Sequence, residues 1–406
     1  MKKYILIVLV LIGTQVEGQT WTNYTSEDGL IEGNIYSIVE VDNGDLWFVD
    51  WVEGSSAGIG KFDGTNWETF AQGEGPSSNT YRKIFKDEDG LLWFASFFDG
   101  HGVDVYDGEN WINYSIIDGL PDNDITDISR GNFGTMWFGV SGPNTGGISN
   151  FDGTTFTNYN KLSGLVGDAV LSLLLAKDGT LWIGTTEGVS NFVGNFFINY
   201  TVDDGLAANG VYDIYEDAIG NIWFATFLEE VGVSKFDNAT TTFTTISTDN
   251  GLVNNRVRVI EGDSDNNIWF GTDGGVSKLS GDQWVSYTEA DGLLDNHVRS
   301  IIEDSDGNMW FGTWGGVSKF NPTLGVFDTL KEGFVIYPNP TNSILNITSE
   351  TQINKIEIYS ITGAQVLSIS ENNINQINVA SLAQGVYWVK VTDDSNRTGF
   401  KKVIIN

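Results

Sequence analysis

Aromatic and acidic side chains recur in a set of loops whose lengths differ strongly between copies of a repeated unit. The members of this set are Trp51, Phe97, Phe98, Asp99, His101, Phe227, Glu229, Glu230, Asp273 and Trp314. An aromatic ring covers the apolar face of a sugar or packs on a peptide, while a nearby carboxylate accepts hydrogen bonds from hydroxyl or amide groups. The pattern therefore predicts a site for a carbohydrate or peptide ligand.

The same residues allow two other functions. Asp99, Glu229 and Glu230 could act as acid and base in a polysaccharide lyase or hydrolase, and His101 would suit a lyase. Alternatively, the aromatic residues pack the loops together or join partner proteins in a structural surface scaffold. With two histidines and no cysteine, no nucleophile and base pair can be assembled from spacing. We therefore predict no catalytic residue and favour binding over catalysis.

Short acidic turns raise the question of a cofactor. Asp263-Ser264-Asp265 and Asp304–Asn308 resemble calcium loops in composition, but they lack the longer spacing and the distal glutamate of the helical calcium motif. An Asp-Gly hairpin between two strands explains them without a metal. We predict no cofactor and no metal ligands, with calcium as the alternative.

Charge and an N-terminal signal limit the class of protein. The net charge of -33 disfavours nucleic acid and anionic membranes as partners, and it disfavours anionic ligands unless cations intervene.

Lys2 and Lys3 precede an apolar run that is too short to span a membrane, as in a secretory signal over residues 1–18. No later segment reaches the length of a transmembrane helix. The sequence predicts a protein that is secreted or held at the outer cell surface.

A repeat must position the loops. Tryptophans recur every 41 to 46 residues, each in a short apolar segment: Trp47, Trp93, Trp137, Trp182, Trp223, Trp269 and Trp310. Alternating apolar residues and Asp-Gly or Asn-Gly turns indicate strands joined by hairpins, and no segment has a helical period. A period of this size predicts an all-β fold, a seven-bladed β-propeller of four-stranded blades.

A glycine opens the third strand of every unit, at positions 58, 102, 147, 188, 232, 275 and 316. We expect it to permit close approach of a neighbouring backbone. The motif Asp-Gly-Leu, followed by an asparagine such as Asn209 or Asn296, is expected to cap turns between blades.

The closing of the ring has two possible solutions. A segment with the pattern aromatic-x-x-Tyr, or a variant of it, begins at eight places, although seven blades need seven outer strands. The last blade is completed either by the N-terminal segment Trp21–Thr25 or by the local segment Phe327–Leu330. We favour the N-terminal segment because it would remove the exposed edge between the first and last blades.

The motifs of the last unit resemble a known repeat. Asp291-Gly292-Leu293, Asn308–Thr313 and Gly316–Phe320 are similar to the two-component regulator propeller repeat. The resemblance implies a propeller of the kind found in extracytoplasmic sensor parts of hybrid sensor kinases in Bacteroidetes-type bacteria, where it is associated with oligosaccharide recognition. No kinase or DNA-binding segment follows the repeats, so the resemblance does not carry a signalling role over.

The C-terminal segment has a different pattern. Short alternating strands divided by Asn, Gly and Ser turns predict a small Ig-like β-sandwich. Tyr337–Pro340, Ile356–Gly363, Leu382–Val391 and Lys401–Ile405 resemble the sorting domain of proteins exported by the type IX secretion system. The resemblance implies that this machinery is a partner and that the protein crosses an outer membrane, often with cleavage of the domain. We therefore predict a propeller over residues 19–332 and a sorting domain over 333–406.

Overall fold

The chain divides into two compact units, of which one spans Trp21–Phe320 and the other contains the strands after Asn321. The computed structural model describes residues 20–51, 58–142, 145–226, 231–321, 334–349, 351–360, 365–371, 373–394 and 398–405. Within these ranges the regular structure consists of β-strands and single 3₁₀ turns. No helix in them is long and apolar enough to cross a membrane. The predicted site residues Phe227, Glu229 and Glu230 lie outside the described residues.

Six four-stranded antiparallel sheets follow one another along the chain, after an N-terminal strand β1 (Thr20–Tyr24). The first three blades contain β2 (Ile35–Glu40), β3 (Leu46–Asp50), β4 (Ile59–Phe62) and β5 (Trp67–Phe70); β6 (Tyr81–Lys86), β7 (Leu92–Ser96), β8 (Val103–Tyr106) and β9 (Trp111–Tyr114); and β10 (Ile125–Arg130), β11 (Met136–Val140), β12 (Gly147–Phe151) and β13 (Phe156–Tyr159). The next three contain β14 (Val170–Leu175), β15 (Leu181–Thr185), β16 (Val189–Val193) and β17 (Phe196–Tyr200); β18 (Val211–Glu216), β19 (Ile222–Thr226), β20 (Val233–Asp237) and β21 (Thr242–Ile246); and β22 (Val257–Gly262), β23 (Ile268–Thr272), β24 (Gly275–Ser280) and β25 (Gln283–Tyr287).

The seventh blade closes the ring with both ends of the propeller segment. It contains β26 (Val298–Glu303), β27 (Met309–Thr313) and β28 (Gly316–Asn321), and its outer strand is β1. Ser318 Oγ donates to Asn23 Oδ1 at 2.8 Å, and Asn23 Nδ2 donates to the Gly292 carbonyl at 3.1 Å. The predicted closure by the N-terminal segment is confirmed.

The contacts of Asn23 copy those inside the other blades. Ser190 Oγ donates to Asn199 Oδ1 at 2.7 Å, and Asn199 Nδ2 donates to the Gly164 carbonyl at 3.0 Å. The N-terminal strand therefore joins the last blade by the same hydrogen bonds that an ordinary outer strand makes within its own repeat.

The repeated tryptophan lies in the second strand and packs between blades. Trp310 is 1% exposed, its ring stacks at 5.7 Å on Tyr24, and Lys319 Nζ lies 5.1 Å from its ring centre. The glycine opening the third strand also has its predicted role: Gly316 has φ +133°, and a Cβ there would lie 2.3 Å from the Tyr24 carbonyl oxygen.

The acidic turns are structural parts of the hairpins between first and second strands. In the last blade Asp304 Oδ1 accepts from the Asn308 backbone N–H at 2.7 Å, and Asp304 Oδ2 accepts from Trp310 Nε1 at 2.7 Å. Four blades have this arrangement, with Trp93, Trp223, Trp269 and Trp310 donating to an aspartate six residues earlier. The aspartates therefore satisfy the buried indole N–H and the turn backbone together.

The predicted turn-capping role of the inter-blade asparagines is also confirmed. The Asn209 side-chain oxygen accepts from the Val202 N–H at 3.0 Å, and that of Asn296 accepts from the Glu289 N–H at 2.9 Å. Each N–H belongs to the first residue of a single 3₁₀ turn that follows an outer strand, so the asparagine fixes the crossing into the next blade.

The C-terminal unit contains two sheets. One pairs β29 (Phe334–Tyr337), β30 (Ile344–Ser349) and β33 (Gln376–Asn378), and the other pairs β32 (Gln365–Ser370), β31 (Ile353–Ser360), β34 (Gly385–Asp393) and β35 (Thr398–Ile405). Residues from both sheets, among them Leu345, Ile356 and Val389, share one buried cluster, as expected for a small sandwich.

Candidate functional site

The first strands of the seven blades surround a central cavity. Neighbouring first strands contact one another around the ring, and β26 contacts β2. The cavity has a volume of about 960 Å³, and its lining includes Trp51, Phe97 and Trp314 from loops that follow second strands. These loops lie at one end of the first strands, which we call the mouth.

One residue in each first strand is a β-bulge at the mouth. In β2, Ile35 pairs with Asp50 and Ser37 pairs with Val49, so Tyr36 is skipped in the register. The same irregularity occurs in all seven blades, and every skipped residue lines the cavity. This bulge ring consists of Tyr36, Arg82, Thr126, Leu171, Tyr212, Arg258 and Arg299. A bulge turns a side chain away from the alternation of its strand, which brings these seven side chains to the mouth.

One part of the mouth is aromatic. The Trp51 ring meets Tyr36 at 5.2 Å and Phe97 at 5.7 Å, both edge to face, and it lies 6.1 Å from Phe98. Phe98 is 61% exposed. The structure therefore brings together three of the residues predicted from the sequence, Trp51, Phe97 and Phe98. Tyr36 joins them from the bulge ring.

A second part of the mouth combines a tryptophan with guanidinium groups. Trp314 is 45% exposed, stacks at 4.2 Å on His297, and lies 4.7 Å above the Arg299 guanidinium. Asp273 accepts from Arg299 Nη1 at 2.7 Å and from Arg258 Nε at 3.3 Å. These arginines hold the pKa of the Asp273 carboxyl below its usual value although burial opposes them. Asp273 is therefore an ionised anchor for arginines.

Arg82 lies between two aromatic rings of the mouth. Its guanidinium carbon is 5.3 Å from the Phe97 ring centre and 5.9 Å from the Tyr212 ring centre. Arg258 lies 5.5 Å from that Tyr212 ring. Cations held over ring faces gain from the ring quadrupole while they keep their hydrogen-bond donors.

The predicted residues Asp99 and His101 belong to a separate polar cluster. Ser78 Oγ donates to Asp99 Oδ2, and His101 Nε2 lies 3.8 Å from the same oxygen and 3.4 Å from Gln72 Nε2. Ser78 and His101 therefore approach the same carboxylate oxygen of Asp99. Asp99 and His101 are absent from the cavity lining.

An ionic cluster occupies the first strands beyond the mouth. Asp127 Oδ1 is 3.2 Å from Lys83 Nζ, and Asp127 Oδ2 accepts from the Leu173 N–H of the next blade at 2.7 Å. Asp213 Oδ2 accepts from the Ile260 N–H in the same way at 2.7 Å. Burial raises the pKa of Asp213 to about 7 against the opposing effect of Lys83, and burial raises the pKa of Glu261 to about 7.

These raised pKa values make stability depend on pH. Above its unfolded pKa of about 4 the unfolded Asp213 has lost its proton, while the folded protein retains it up to about pH 7. Asp213 therefore lowers stability progressively as the pH rises from about 4 to about 7, and its effect is constant at higher pH. We expect Asp213→Asn, which keeps an oxygen for the Ile260 N–H, to remove about 1 to 2 kcal/mol of that loss.

The measurement is the free energy of unfolding in urea at pH 5 and pH 8. Asp178→Asn, in the exposed turn before Thr180, is a control for the loss of one negative charge. An equal pH dependence in wild type and Asp213→Asn, relative to that control, would contradict the prediction.

Within the described ranges no group of three or more His, Asp or Glu side chains could hold a metal ion. The acidic turns considered for calcium use their carboxylates inside the hairpins, as Asp304 does with Asn308 and Trp310.

The arginines and tyrosines of the bulge ring are not among the residues predicted from the sequence. Their position in the repeat could have identified them, because each one follows the first buried residue of a first strand. Arg82, for example, follows Tyr81, and Arg258 follows Val257. Aligned copies of the repeat show that this position holds Tyr, Arg, Thr, Leu, Tyr, Arg and Arg, which is variation at a fixed place in a regular scaffold.

Family models match both parts of the chain. The two component regulator propeller model matches residues 164–187, 205–227, 251–274 and 292–315, and the secretion system C-terminal sorting domain model matches residues 335–406. No curated protein matches the chain.

Several solved structures share the fold. The extracellular domain BT3049 of B. thetaiotaomicron, described as part of a hybrid two component system, is 19% identical over 96% of this chain and 58% of its own, with a TM-score of 0.65. PorZ, a surface component of the type-IX secretion system of Porphyromonas gingivalis, is 20% identical over 92% of this chain and 60% of its own, with a TM-score of 0.62. Virginiamycin B lyase from Staphylococcus aureus is 14% identical over 75% of this chain and 98% of its own, with a TM-score of 0.59.

These identities establish a common fold only. The chain spans less than two thirds of the length of the first two proteins. The sorting domain indicates that the protein is secreted or lies at the outer cell surface. The chain is a seven-bladed β-propeller in which four segments match the two component regulator propeller model, followed by a β-sandwich that matches the secretion system C-terminal sorting domain model.

Proposed function

We propose that this protein is a propeller module that binds an extracellular carbohydrate or peptide through the mouth of its central cavity. The observation that carries the proposal is the bulge ring, which turns seven side chains of four residue types from one regular scaffold toward a single cavity. Trp51, Phe97 and Trp314 extend this lining from the loops. A concave site with aromatic walls and a few polar groups is typical of ligand binding.

The depth of the cavity favours a ligand over a flat protein contact. A scaffold surface would present an exposed apolar patch, whereas here Trp51 and Phe97 face a space of about 960 Å³. One end of a sugar or peptide chain would enter the mouth. Trp314 would pack against its apolar face, because this ring is 45% exposed and is held in place by His297.

Several parts of this proposal rest on the sequence alone. Phe227, Glu229 and Glu230 remain predicted ligand residues, and so do Phe98, Asp99 and His101 beside the mouth. The boundaries of the signal (1–18), the propeller (19–332) and the sorting domain (333–406) also remain predictions, as does the contact of the last segment with the type IX machinery.

The experiment is a carbohydrate and peptide array probed with the full chain, followed by titration of each ligand found. We expect saturable binding that weakens about tenfold or more in Trp314→Ala and in Trp51→Ala, because central aromatic residues dominate binding energies. Phe133→Ala is the matched control, since Phe133 is fully exposed in the β10–β11 hairpin, away from the mouth.

Equal affinities of Trp314→Ala, Trp51→Ala and wild type for every ligand would overturn the assignment of the mouth. Analysis of the bound ligand for cleavage products separates binding from the lyase or hydrolase alternative.

A further inference from the structure

The charge of the cavity lining is opposite to the charge of the protein. The described lining carries six basic side chains and four acidic ones: Arg82, Lys83, Arg130, Lys177, Arg258 and Arg299 against Asp127, Asp213, Glu216 and Glu261. The chain as a whole has a net charge of -33. Asp273 compensates Arg258 and Arg299, and Asp127 compensates Lys83, whereas Arg82 forms no ion pair among the described residues. A buried cation without an ion-pair partner costs free energy, so the charge of Arg82 needs a reason.

Three of the six basic groups of the lining lie at the mouth. Arg82, Arg258 and Arg299 are three of the seven bulge-ring residues, whereas the acidic side chains of the lining come later in their strands. Two of those carboxyl groups, on Asp213 and Glu261, have a pKa raised to about 7 by burial, so they oppose the arginines only weakly near neutral pH.

Arg299 has an unused donor in the interior of the mouth. Its side chain is 2% exposed, and its Nη1 is bonded to Asp273 at 2.7 Å. Its Nε is buried and has no hydrogen-bond partner among the described residues. A buried guanidinium N–H without an acceptor is unfavourable, and an oxygen atom that reached it would satisfy this donor.

Arg82 has charge available as well. Within the described ranges it contacts the Phe97 and Tyr212 rings and forms no ion pair or hydrogen bond. Burial lowers the pKa of the Arg82 guanidinium, while the phenols of Tyr212 and Tyr36 and the carboxylate of Asp127 favour its charged form. These two rings contact the guanidinium without accepting a hydrogen bond in the ring plane, so its N–H donors have no oxygen acceptor among the described residues.

We infer that the mouth recognises an anionic sugar, an oligosaccharide whose ring carries a carboxylate or sulfate group, with Arg82 as the residue that binds the anion. This inference rests on the proposed function and gives its ligand class. A planar guanidinium donates two parallel hydrogen bonds to an oxyanion, and Trp314 and Trp51 cover the apolar faces of adjoining sugar rings. Trp51, Phe97 and Trp314 line the same cavity, and flat rings of this kind pack on the faces of sugar rings, which favours a sugar over an extended acidic peptide.

The experiment is a titration of the full chain with three probes. These are a short oligogalacturonate, the same oligosaccharide with its carboxyl groups reduced to alcohols, and a sulfated galactan oligosaccharide. We expect at least one anionic probe to bind and the reduced probe to bind about 10- to 100-fold more weakly, because a hydrogen bond to a charged group contributes about 1.5 to 3 kcal/mol. The sulfated arm distinguishes sulfate from carboxylate as the anion.

Arg82→Gln tests the residue, because it keeps a polar side chain of similar length without the charge. We expect the affinity of the anionic probe to fall about 10- to 100-fold and its salt dependence to weaken. Lys61→Gln, which removes one positive charge outside the cavity lining where Lys61 pairs with Asp45 at 2.8 Å, is the matched control with no expected change. Unaltered thermal unfolding of Arg82→Gln shows that the variant is folded.

The outcomes are distinguishable. Equal binding of the reduced and carboxylated probes, or full affinity in Arg82→Gln, overturns the anionic inference. Binding of neutral glycans that requires Trp314 but is indifferent to Arg82 retains the proposed function and rejects this inference. Binding of an acidic peptide through Arg82, without any anionic sugar, rejects the sugar class. Absence of any array ligand that depends on Trp314 or Trp51 rejects both proposals.

Discussion

Replacing Trp21 with alanine is expected to lower the free energy of unfolding of the propeller by about 2 to 4 kcal/mol. This is most of what the loss of a fully buried tryptophan side chain costs. The Trp21 ring lies 4.6 Å from Phe320, 5.6 Å from Phe311 and 5.8 Å from Tyr287. No hairpin connects β1 to β28, because 295 residues separate Asn23 from Ser318. Loss of the ring therefore weakens the only strand that closes the last blade from the other end of the chain.

The matched control is Trp284→Ala. Trp284 has the corresponding position in β25, where it lies 5.3 Å from Phe270, and a tight hairpin ties β25 to β24. We expect Trp21→Ala to lower the free energy of unfolding more than the control does and to increase hydrogen exchange across Gly316–Asn321. Equal destabilisation with unchanged exchange in β28 would contradict the idea that closure depends on Trp21.

Replacing Asp304 with alanine is expected to cost about 3 to 5 kcal/mol. Its two oxygens accept from the Asp306 N–H at 3.1 Å, from the Asn308 backbone N–H at 2.7 Å and from Trp310 Nε1 at 2.7 Å. Alanine would leave the indole N–H of a side chain that is 1% exposed without an acceptor. Denaturant unfolding measures the loss.

Two further variants define the cause of this loss. Asp304→Asn keeps an oxygen acceptor and should recover part of the stability, whereas Asp178→Ala should cost less than about 1 kcal/mol because its turn partners are exposed. The fourth blade has Ala176 in the position of Asp304, so Trp182 is buried there without that carboxylate. A small effect of Asp304→Ala, similar to that of Asp178→Ala, would contradict a structural role for the aspartate and indole pair.

The acidic surface and the basic mouth affect different steps of binding. An overall charge of -33 slows the approach of an anion, while contacts with Arg82 and Arg299 inside the mouth act on the bound state. We therefore expect the association rate constant of an anionic sugar to increase as the salt concentration rises, even though salt weakens the contacts in the complex.

Much of the fold follows from local sequence patterns. Trp310 and Gly316 belong to a unit repeated seven times, and their packing roles depend on neighbours in the same blade or the next one. The alternation of β26 and the Asp-Gly turn after it also depend on residues a few positions apart. Such short-range features predict blades, hairpins and the sorting sandwich without knowledge of the whole molecule.

The candidate site could be predicted only in part, because loop aromatics are visible as departures from the repeat whereas the bulge ring is not. Trp51 and Phe97 lie in loops of unusual length, and the structure brings them together. Arg82, Tyr212 and Arg258 lie in three different blades, inside strands whose pattern looks ordinary. Asp99 has the composition expected of a site residue, but it bonds to Ser78 outside the lining.

The sequence by itself determined the seven repeats, the packing role of their tryptophans and the sorting domain, because each depends on contacts within one repeat or between neighbours. The tertiary structure decided between the two ways of closing the ring that the sequence left open, in favour of β1, and it alone showed that Arg82 and Arg258 meet at the Tyr212 ring. Both results depend on closure of the propeller. Only a closed ring brings first strands from distant repeats around one axis, and only a bulge in each strand turns a side chain from every repeat toward the same mouth.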